Sequence, residues 1–295
     1  MKISVITPFY KGNEYISALV SNIVENTENL KKVSSGSSVE LLIVNDSPDV
    51  KVEMPAETGD VECRVLTHEK NSGIHKARVT GLTECRGDFI LFLDQDDTVS
   101  EHFFVEQLPY MKKYDVVIGN AYLEDADGKL TPLYRKKGDF RKVLDPEPYI
   151  YSHNQIVSPG QCLIRKSAIP KEWCRYIMQK NGSDDLFLWM LMFYHNVRFG
   201  VNRKCLYTHH YTGANLSASE SKMEESSKDF AKHLKKISYV PNDIIDPFVR
   251  ARNLTTPLHE MSPAGKIVHC IKNTDIILVR LKLQLICRLS GTERG

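Results

Sequence analysis

Short, apolar, β-branched segments that end in polar clusters are the feature that most limits how this chain can fold. Val39–Val44 is followed by Asn45-Asp46-Ser47, and Phe89–Leu93 is followed by Asp94-Gln95-Asp96-Asp97. Such segments are typical of strands buried on both faces of a parallel sheet, which helices must connect. The order strand, helix, strand, strand, helix, strand over about the first hundred residues therefore predicts an α/β fold with a doubly wound, mostly parallel sheet.

Hydrophobic periodicity predicts the other elements of the sheet domain and a helical end to the chain. The predicted strands are 3–7, 64–66, 114–119 and 160–164, the predicted helices are 14–27, 74–85 and 185–194, a hairpin turn is expected at 124–128, and a loop is expected over 139–151. From Lys222 the composition becomes charged and helical. We therefore expect one domain over 1–220, with halves of about 1–100 and 101–220, and a small helical appendage over 221–295.

Composition and cysteine usage narrow the class of protein. The formal net charge is only +2 over 295 residues, which gives no reason to expect a nucleic-acid partner. Seven widely spaced cysteines without a C-x-x-C pair indicate reduced thiols and a cytoplasmic location. The N-terminal apolar stretch is interrupted at Pro8, unlike a signal peptide, and no segment approaches the roughly 20 apolar residues of a membrane-spanning helix.

Three polar clusters fall at the carboxyl ends of predicted strands, which is where open α/β sheets bind their ligands. The clusters are Thr7-Pro8-Phe9-Tyr10, Asn45-Asp46-Ser47 and Asp94-Gln95-Asp96-Asp97. The last holds three carboxylates, which repel one another unless a cation or hydrogen-bond donors offset the charge. A solvated acidic turn is the simpler interpretation of such a cluster alone, but its place after a buried strand favours a Mg²⁺ or Mn²⁺ site.

Three further motifs have both a structural and a functional interpretation. At the start of the apolar helix, Ser183 or Asp184 can cap the helix, or one of the carboxylates at 184 and 185 can act as a general base. Over 71–78, small and amide residues enter a helix, either as an ordinary turn or as a backbone approach to phosphates. His209 and His210 are either structural residues or metal ligands.

Taken together, these motifs resemble the family 2 glycosyltransferases, which have the GT-A fold, and look most like bacterial enzymes that build surface polysaccharides. The resemblance extends from Met1 to about Ser217 and rests on the order and spacing of five segments. They are S-V-I-T-P-F-Y at 4–10, L-L-I-V-N-D-S at 41–47, N-S-G-I-H-K-A-R at 71–78, G-D-F-I-L-F-L-D-Q-D-D at 87–97 and S-D-D-L-F-L-W at 183–189.

The resemblance implies a role for each matching residue. The nucleotide-sugar site, in the half of about 1–100, would be formed by Pro8, Tyr10, Asp46, Asn71, Gly73, Arg78 and Asp94. Asp96 would hold Mn²⁺ or Mg²⁺, together with His209 in preference to His210. Asp185 would be the catalytic base, in an acceptor half of about 101–220.

Two positions depart from the family pattern. Asn45 stands where the family has the first Asp of an Asp-Asp pair, so one carboxylate remains in the second segment. Asp184 stands where the family has the Glu of a Glu-Asp pair and is one methylene shorter. Neither change removes a residue that an inverting transfer requires.

The expected activity is a metal-dependent, inverting transfer of sugar from a nucleotide-sugar donor, UDP-linked, to a hydroxyl of a glycan or lipid-linked saccharide in polysaccharide synthesis. Nucleotidylyltransferases and dinucleotide-dependent oxidoreductases would carry a glycine-rich loop after the first strand, where this chain has Pro8-Phe9-Tyr10-Lys11-Gly12. The alternative is a catalytically inactive sugar-nucleotide-binding partner subunit, against which the presence of both Asp96 and Asp185 argues.

The segment from Lys266 to Arg288 is rich in apolar and basic residues. A basic amphipathic helix of this kind can lie in a membrane interface, which would place the protein at the inner face of the cell membrane. It can equally pack on the catalytic domain or form a dimer contact, so the sequence leaves the membrane contact and the oligomeric state open.

Overall fold

The computed structural model describes residues 1–151, 154–213, 220–252, 254 and 261–289. The chain forms two compact units that are interleaved in sequence. We call them the sheet unit, which is Met1–Leu133, Ile156–Ile177 and Asn196–Asn215, and the helical unit, which is Tyr134–Gln155, Met178–His195 and Leu216–Gly295. Residues 134–155 and 178–195, which the sequence assigned to the 1–220 domain, therefore group with the C-terminal helices. The nucleotide-sugar and acceptor roles of the two halves of that domain remain predictions.

Four parallel strands form the first half of the sheet. They are β1 (Lys2–Phe9), β2 (Ser38–Asn45), β3 (Glu62–Thr67) and β4 (Phe89–Phe92), in the order β3-β2-β1-β4. Helices α1 (Asn13–Val33) and α2 (Ile74–Glu84) connect them. The strands and helices predicted for the first hundred residues are confirmed, and the sheet has the expected parallel connectivity.

The second half of the sheet mixes parallel and antiparallel pairs. Its strands are β5 (Thr98–Val99), β6 (Val116–Glu124), β7 (Leu130–Pro132), β8 (Cys162–Arg165) and β9 (Phe199–His209), and the order continues from β4 as β8-β6-β9-β5, with β7 on β6. Strands β6 and β9 pair in parallel along most of their length, whereas β8 is antiparallel to both β4 and β6. Short helices α3 (Phe103–Gln107) and α6 (Lys171–Arg175) complete the sheet unit. The β6–β7 pair makes the hairpin predicted at 124–128.

The core of the sheet unit follows from the apolar runs in the strands. Every residue of β4 is buried, and α1 buries Ile16, Leu19, Val20, Ile23 and Leu30 at helical spacing against the sheet. On the other helix, a Cβ added at Gly81 of α2 would lie 2.3 Å from Ile6 Cγ2. The backbone of α2 therefore approaches β1 closely because residue 81 has no side chain.

The loop predicted over 139–151 is wrong. The segment forms two short helices, α4 (Lys137–Lys142) and α5 (Pro146–Tyr151). Proline is tolerated in the first turn of a helix because the missing N–H has no partner there, and Pro146 is the first residue of α5. Asp139 stabilises the start of α4 by accepting hydrogen bonds from the backbone N–H groups of Arg135 and Lys136.

The helical unit also contains α7 (Asp184–Tyr194), α8 (Glu220–Leu234), α9 (Ile245–Arg252), α10 (Pro263–Lys272) and α11 (Thr274–Leu289). Phe230 of α8 packs against Phe187 and Phe248, with ring centroids 5.5 and 4.5 Å apart. The basic C-terminal segment is two helices that break at Asn273 rather than one continuous helix. Over the described ranges, we find no helix with the length and apolar character to cross a membrane.

Candidate active site

The polar clusters after β1, β2 and β4 lie along one edge of the sheet. Register places Phe9 beside Asn45 and Ile6 beside Phe92, so the three strands end near one another. The residues that follow each strand therefore meet at the carboxyl edge, where a parallel sheet binds its ligands.

Asp46 organises the loop that leads into α2. One oxygen accepts hydrogen bonds from Ser72 N–H at 2.7 Å and from the His68 ring at 2.8 Å, and the other accepts from Gly73 N–H at 2.8 Å. Gly73 has φ +88°, a backbone conformation that a side chain would strain. Asp46, Gly73 and the exposed Asn71, whose Oδ1 also accepts from Gly73 N–H, are thus brought together at one loop.

Asn45 has a structural role that a carboxylate could not fill. Its Nδ2 donates to the Val50 carbonyl at 2.8 Å, while its Oδ1 accepts from Ser47 N–H at 2.8 Å. A carboxylate has no donor for the first of these bonds. Where the family has the first Asp of its Asp-Asp pair, the uncharged amide of Asn45 therefore stabilises the turn at 45–50 through these two hydrogen bonds.

Gln95 joins the loop after β1 to the loop after β4. Its side-chain amide accepts from Tyr10 N–H at 3.0 Å and donates to the Tyr10 carbonyl at 3.3 Å. A Cβ at Gly12 would lie 2.2 Å from Gln95 Nε2, so Gly12 leaves room for this amide. Tyr10 is 52% exposed, and Pro8, two residues earlier in the chain, is half-buried.

Arg78 and Asp94 form a short ion pair at the same edge. Nη2 of the buried Arg78 lies 2.6 Å from Oδ1 of Asp94, whose side chain is partly exposed. The guanidinium neutralises one of the three carboxylates after β4.

Asp96 carries the least compensated charge of the acidic cluster. Burial, together with the negative charges of Asp97 and Asp94, raises its pKa to about 6. A nearby cation would reverse this shift because it favours the ionised carboxylate. The electrostatics of this position are those of a site that accepts positive charge.

Asp97 is buried and connects β4 to the end of β9. It accepts hydrogen bonds from the Tyr207 hydroxyl, from His210 N–H at 3.0 Å and from Nδ1 of His209 at 3.1 Å. The Asp97 bond is the largest cause of the raised pKa of His209, and burial opposes it. A neutral imidazole that donates from Nδ1 carries its lone pair on Nε2, the atom with which it would bind a metal.

The two histidines that the sequence singled out are held differently. Both ring nitrogens of His210 are hydrogen-bonded, to Glu124 and to Thr98 Oγ1 at 2.8 Å. The bonds of His209 to Asp97 engage Nδ1. Within the part of the chain that the structure describes, no group of three or more His, Cys, Asp or Glu side chains is arranged to hold a metal by itself.

Asp185 lies in the helical unit, at the start of α7. Its Oδ2 accepts a hydrogen bond from Asn154 Nδ2 at 2.7 Å. The preceding Asp184 is buried, whereas Asp185 is partly exposed. Ser183 occupies the N-cap position without a side-chain cap bond.

Sequence reasoning missed the roles of Gln95, Tyr207 and His68 at this edge, that of Asp97 as the partner of His209, and, in the helical unit, that of Asn154 beside Asp185. Their partners lie far along the chain, as with Asp97 and Tyr207, which are 110 residues apart. For Gln95 and Asp97, the sequence did offer a signal, because both residues lie within the polar cluster Asp94-Gln95-Asp96-Asp97. Nothing local marks Tyr207 or Asn154.

The sheet and its acidic edge place the protein among the α/β transferases of the GT-A fold. The Glycosyl transferase family 2 profile matches residues 4–173, more than half of the chain. The chain therefore belongs to glycosyltransferase family 2.

Two relatives and one solved structure illustrate the similarity. Glycosyltransferase GlyA of Streptococcus pneumoniae is 29% identical over 125 residues, which are 41% of this chain and 17% of GlyA. Poly(ribitol-phosphate) beta-N-acetylglucosaminyltransferase TarP of Staphylococcus aureus is 25% identical over 194 residues, which are 63% of this chain and 56% of TarP. The chain thus spans less than two thirds of these curated relatives.

The crystal structure of Staphylococcus aureus TarS 1–349 in complex with UDP-GlcNAc has a TM-score of 0.62 to this protein. The match covers 95% of this chain and 81% of that chain at 18% sequence identity. It confirms the α/β fold of the GT-A type.

Proposed function

We propose that this glycosyltransferase moves a sugar from a UDP-linked donor to a hydroxyl of a glycan or lipid-linked saccharide, with inversion at the anomeric carbon. The observation that carries the proposal is the acidic cluster at the end of β4, where Asp94, Asp96 and Asp97 meet His209 of β9. Asp97 is buried and Asp94 and Asp96 are half-buried, so their negative charges repel one another, and a divalent cation that also holds the donor diphosphate would offset them.

The donor would lie along the carboxyl edge of the sheet. Tyr10 offers an exposed ring beside Pro8, and an aromatic face of this kind can stack on a nucleobase. The loop that Asp46 holds at Ser72 and Gly73 presents backbone close to where a nucleotide would bind. UDP is the nucleotide we favour because the fold neighbour TarS was crystallised with UDP-GlcNAc.

Asp96 and His209 fit a divalent cation of the Mn²⁺ or Mg²⁺ kind. Such cations commonly take one or two protein ligands and complete their shell with substrate phosphates and water. Among the described residues, no third protein ligand is grouped with Asp96 and His209, and a cation of this kind does not require one. When bound, the cation supplies positive charge that offsets the charge developing on the leaving diphosphate.

Asp185 is the proposed general base. Its carboxylate accepts the proton of the acceptor hydroxyl while that oxygen attacks the anomeric carbon, and the bond to the diphosphate breaks on the opposite face. One displacement inverts the configuration, so the reaction needs a single carboxylate base and no nucleophilic carboxylate. Asn154 orients the carboxylate through its bond to Oδ2.

Asp185→Asn tests this role. We expect transfer to fall by about 10²–10⁴-fold while donor affinity is kept, since the amide preserves shape but cannot accept the proton. Single-turnover transfer and calorimetric titration of UDP-GlcNAc measure the two quantities separately. Asp246→Asn is the matched control, because Asp246 is an exposed carboxylate of the same unit that pairs with Arg250. Wild-type transfer by Asp185→Asn would reject the assignment.

Acceptor class and location extend the proposal. TarP is named for transfer to poly(ribitol-phosphate), which makes a surface polymer or its lipid-linked precursor a suitable acceptor class to screen here. Free thiols at all six cysteines whose side chains are described agree with a cytoplasmic location. Donor hydrolysis with added Mn²⁺ separates an enzyme from an inactive sugar-nucleotide-binding partner subunit, which would release no UDP.

A further inference from the structure

Two neighbouring C-terminal helices expose aliphatic side chains in stripes. Residues three or four apart lie on one face of a helix. In α10 the stripe is Ile267, Val268 and Ile271, and in α11 it is Leu278, Leu281 and Leu285; each of these side chains is at least half exposed. We call these six residues the aliphatic face.

The opposite face of α11 holds that helix in the helical unit, and the His269 ring of α10 bonds to the Leu254 carbonyl at 3.0 Å. Ile276 and Leu283 are buried, and Ile276 packs with Ala251 and Leu254. The Arg280 guanidinium donates to the backbone carbonyls of Tyr151 and Ala251, both at 2.7 Å. The aliphatic face is therefore turned away from the packing of its own unit, and surface aliphatics gathered in this way mark an interaction site.

The charge around the aliphatic face is positive. From Lys266 to Arg288 the sequence has five Lys or Arg residues and one acidic residue, Asp275. Asp275 pairs with Arg250 through bonds of 2.9 and 2.6 Å, and Arg250 also pairs with Asp246 at 2.8 Å. Lys266 and Lys272 are exposed on the helix that carries Ile267 and Ile271. Lys282 pairs with Glu147 at 3.0 Å, and Arg280 lies on the packed face of α11, so Lys266 and Lys272 carry the positive charge beside the aliphatic side chains.

We propose that the aliphatic face of α10 and α11 binds the surface of an anionic lipid bilayer. Helices of this composition insert their apolar side chains at the boundary between headgroups and acyl chains, while their lysines attract anionic headgroups. A second copy of the chain is the less favoured occupant, because it would bring the same excess of positive charge against this one. The inference does not depend on the proposed donor, metal or base.

Vesicle co-sedimentation of the full chain tests the proposal. Binding is measured to phosphatidylcholine vesicles with and without about 30% phosphatidylglycerol, at low and high salt. We expect wild type to bind the anionic vesicles and to lose binding as salt is raised. Ile267→Gln with Ile271→Gln should lower the binding constant at least about tenfold, because two inserted aliphatic side chains are removed.

Two further variants keep the result interpretable. Val33→Gln with Leu130→Gln removes two comparably exposed aliphatic residues from the sheet unit and should leave vesicle binding unchanged. Lys266→Gln with Lys272→Gln should weaken binding to anionic vesicles and reduce its salt dependence. All variants should hydrolyse donor at the wild-type rate, which separates this inference from the proposed function.

Either of two results would overturn the proposal. One is equal co-sedimentation of wild type and Ile267→Gln/Ile271→Gln with anionic vesicles. The other is a dimer in sedimentation velocity that this double variant dissociates, with no vesicle binding by wild type; the occupant would then be a second copy of the chain.

Discussion

At the end of β4, the buried Asp97 carboxylate has three partners at the end of β9: the Tyr207 hydroxyl, the His209 ring and His210 N–H. An acceptor-only group suits this place because all three partners donate. The arrangement fixes which nitrogen of His209 carries the proton, as the carboxylate partners of metal-binding histidines do. In the proposed metal site, Asp97 would therefore position His209 rather than bind the metal.

Asp97→Asn should disturb His209 without removing it. The amide accepts through one oxygen only and carries no charge, so it fixes the Nδ1 proton of His209 less firmly than the carboxylate does. We expect Mn²⁺ affinity to fall about 10–100-fold, the usual cost of losing such a partner. Electron paramagnetic resonance of free Mn²⁺ measures the affinity, and ¹⁵N chemical shifts of the His209 ring report the proton's position.

Asp88→Asn is the control for that experiment. Asp88 precedes β4 at the other end of the strand, where its carboxylate accepts from Lys2 N–H at 3.2 Å. It should leave both Mn²⁺ affinity and the His209 shifts unchanged. If Asp97→Asn folds normally and binds Mn²⁺ as wild type does, Asp97 has no positioning role.

Single residues show where sequence reasoning reached its limit. The acidic cluster could be predicted because its members are adjacent in sequence and follow a buried strand. The hydrogen-bond partners of the cluster could not be predicted, because Tyr207 and His209 are more than 100 residues from Asp97 in the sequence. Asn45 likewise looked like a lost carboxylate, whereas its amide closes a local turn.

At the scale of elements, the contact of α2 with the sheet depends on Gly81. Its hypothetical Cβ would lie 2.3 Å from Ile6 Cγ2 and 3.3 Å from Val44 Cγ2. Both residues belong to strands whose carboxyl ends form the site. A side chain at position 81 would therefore push α2 away from the sheet and disturb the loop at Gly73 that precedes it.

Gly81→Ala should lower the free energy of unfolding by about 1–3 kcal/mol, because overpacking outweighs the better helix propensity of alanine. Urea denaturation followed by fluorescence measures the change. Gly36→Ala is the control: its added Cβ meets nothing within 4 Å, so the effect should stay within about 0.5 kcal/mol. A neutral Gly81→Ala would mean that α2 can shift freely on the sheet.

Element prediction succeeded where one pattern dominated. The buried strands of the first half have uniform apolar runs, and α1 has clear helical spacing. The pattern failed where proline stood at a helix start, as in α5, because proline also marks loops. Strand β9 has no clear strand pattern in the sequence because polar residues interrupt its alternation, and its register against β6 shifts on both sides of Asn120.

At the scale of the whole molecule, the chain leaves the sheet unit after Leu133 and again after Ile177, and it contributes α4, α5 and α7 to the helical unit. Sequence reasoning placed one boundary near 220 because composition changes there. Composition does not reveal that residues 134–155 and 178–195 belong with distant helices. Long-range packing decides this membership, and no local pattern encodes it.

Asp96 links the proposed site to the stability of the whole protein. Its pKa rises from 3.8 to about 6 on folding, so the ionised carboxylate opposes folding above pH 6, and this cost disappears as the pH falls towards 4. Asp96→Asn should therefore raise the free energy of unfolding by on the order of 1–3 kcal/mol at pH 7.5 without metal, with a smaller gain at lower pH. Mn²⁺ with UDP should stabilise wild type but not the variant.

Chemical denaturation at a series of pH values, with and without Mn²⁺ and UDP, measures both effects on the same samples. Asp115→Asn supplies a control of opposite sign, because the hydrogen bond to Arg198 lowers the pKa of Asp115 and makes its ionised form favour folding. That variant should be less stable at pH 7.5 and keep its response to Mn²⁺. If Asp96→Asn is less stable than wild type without metal, repulsion among the carboxylates does not destabilise the folded protein. The reason for expecting a cation at this edge would then be removed.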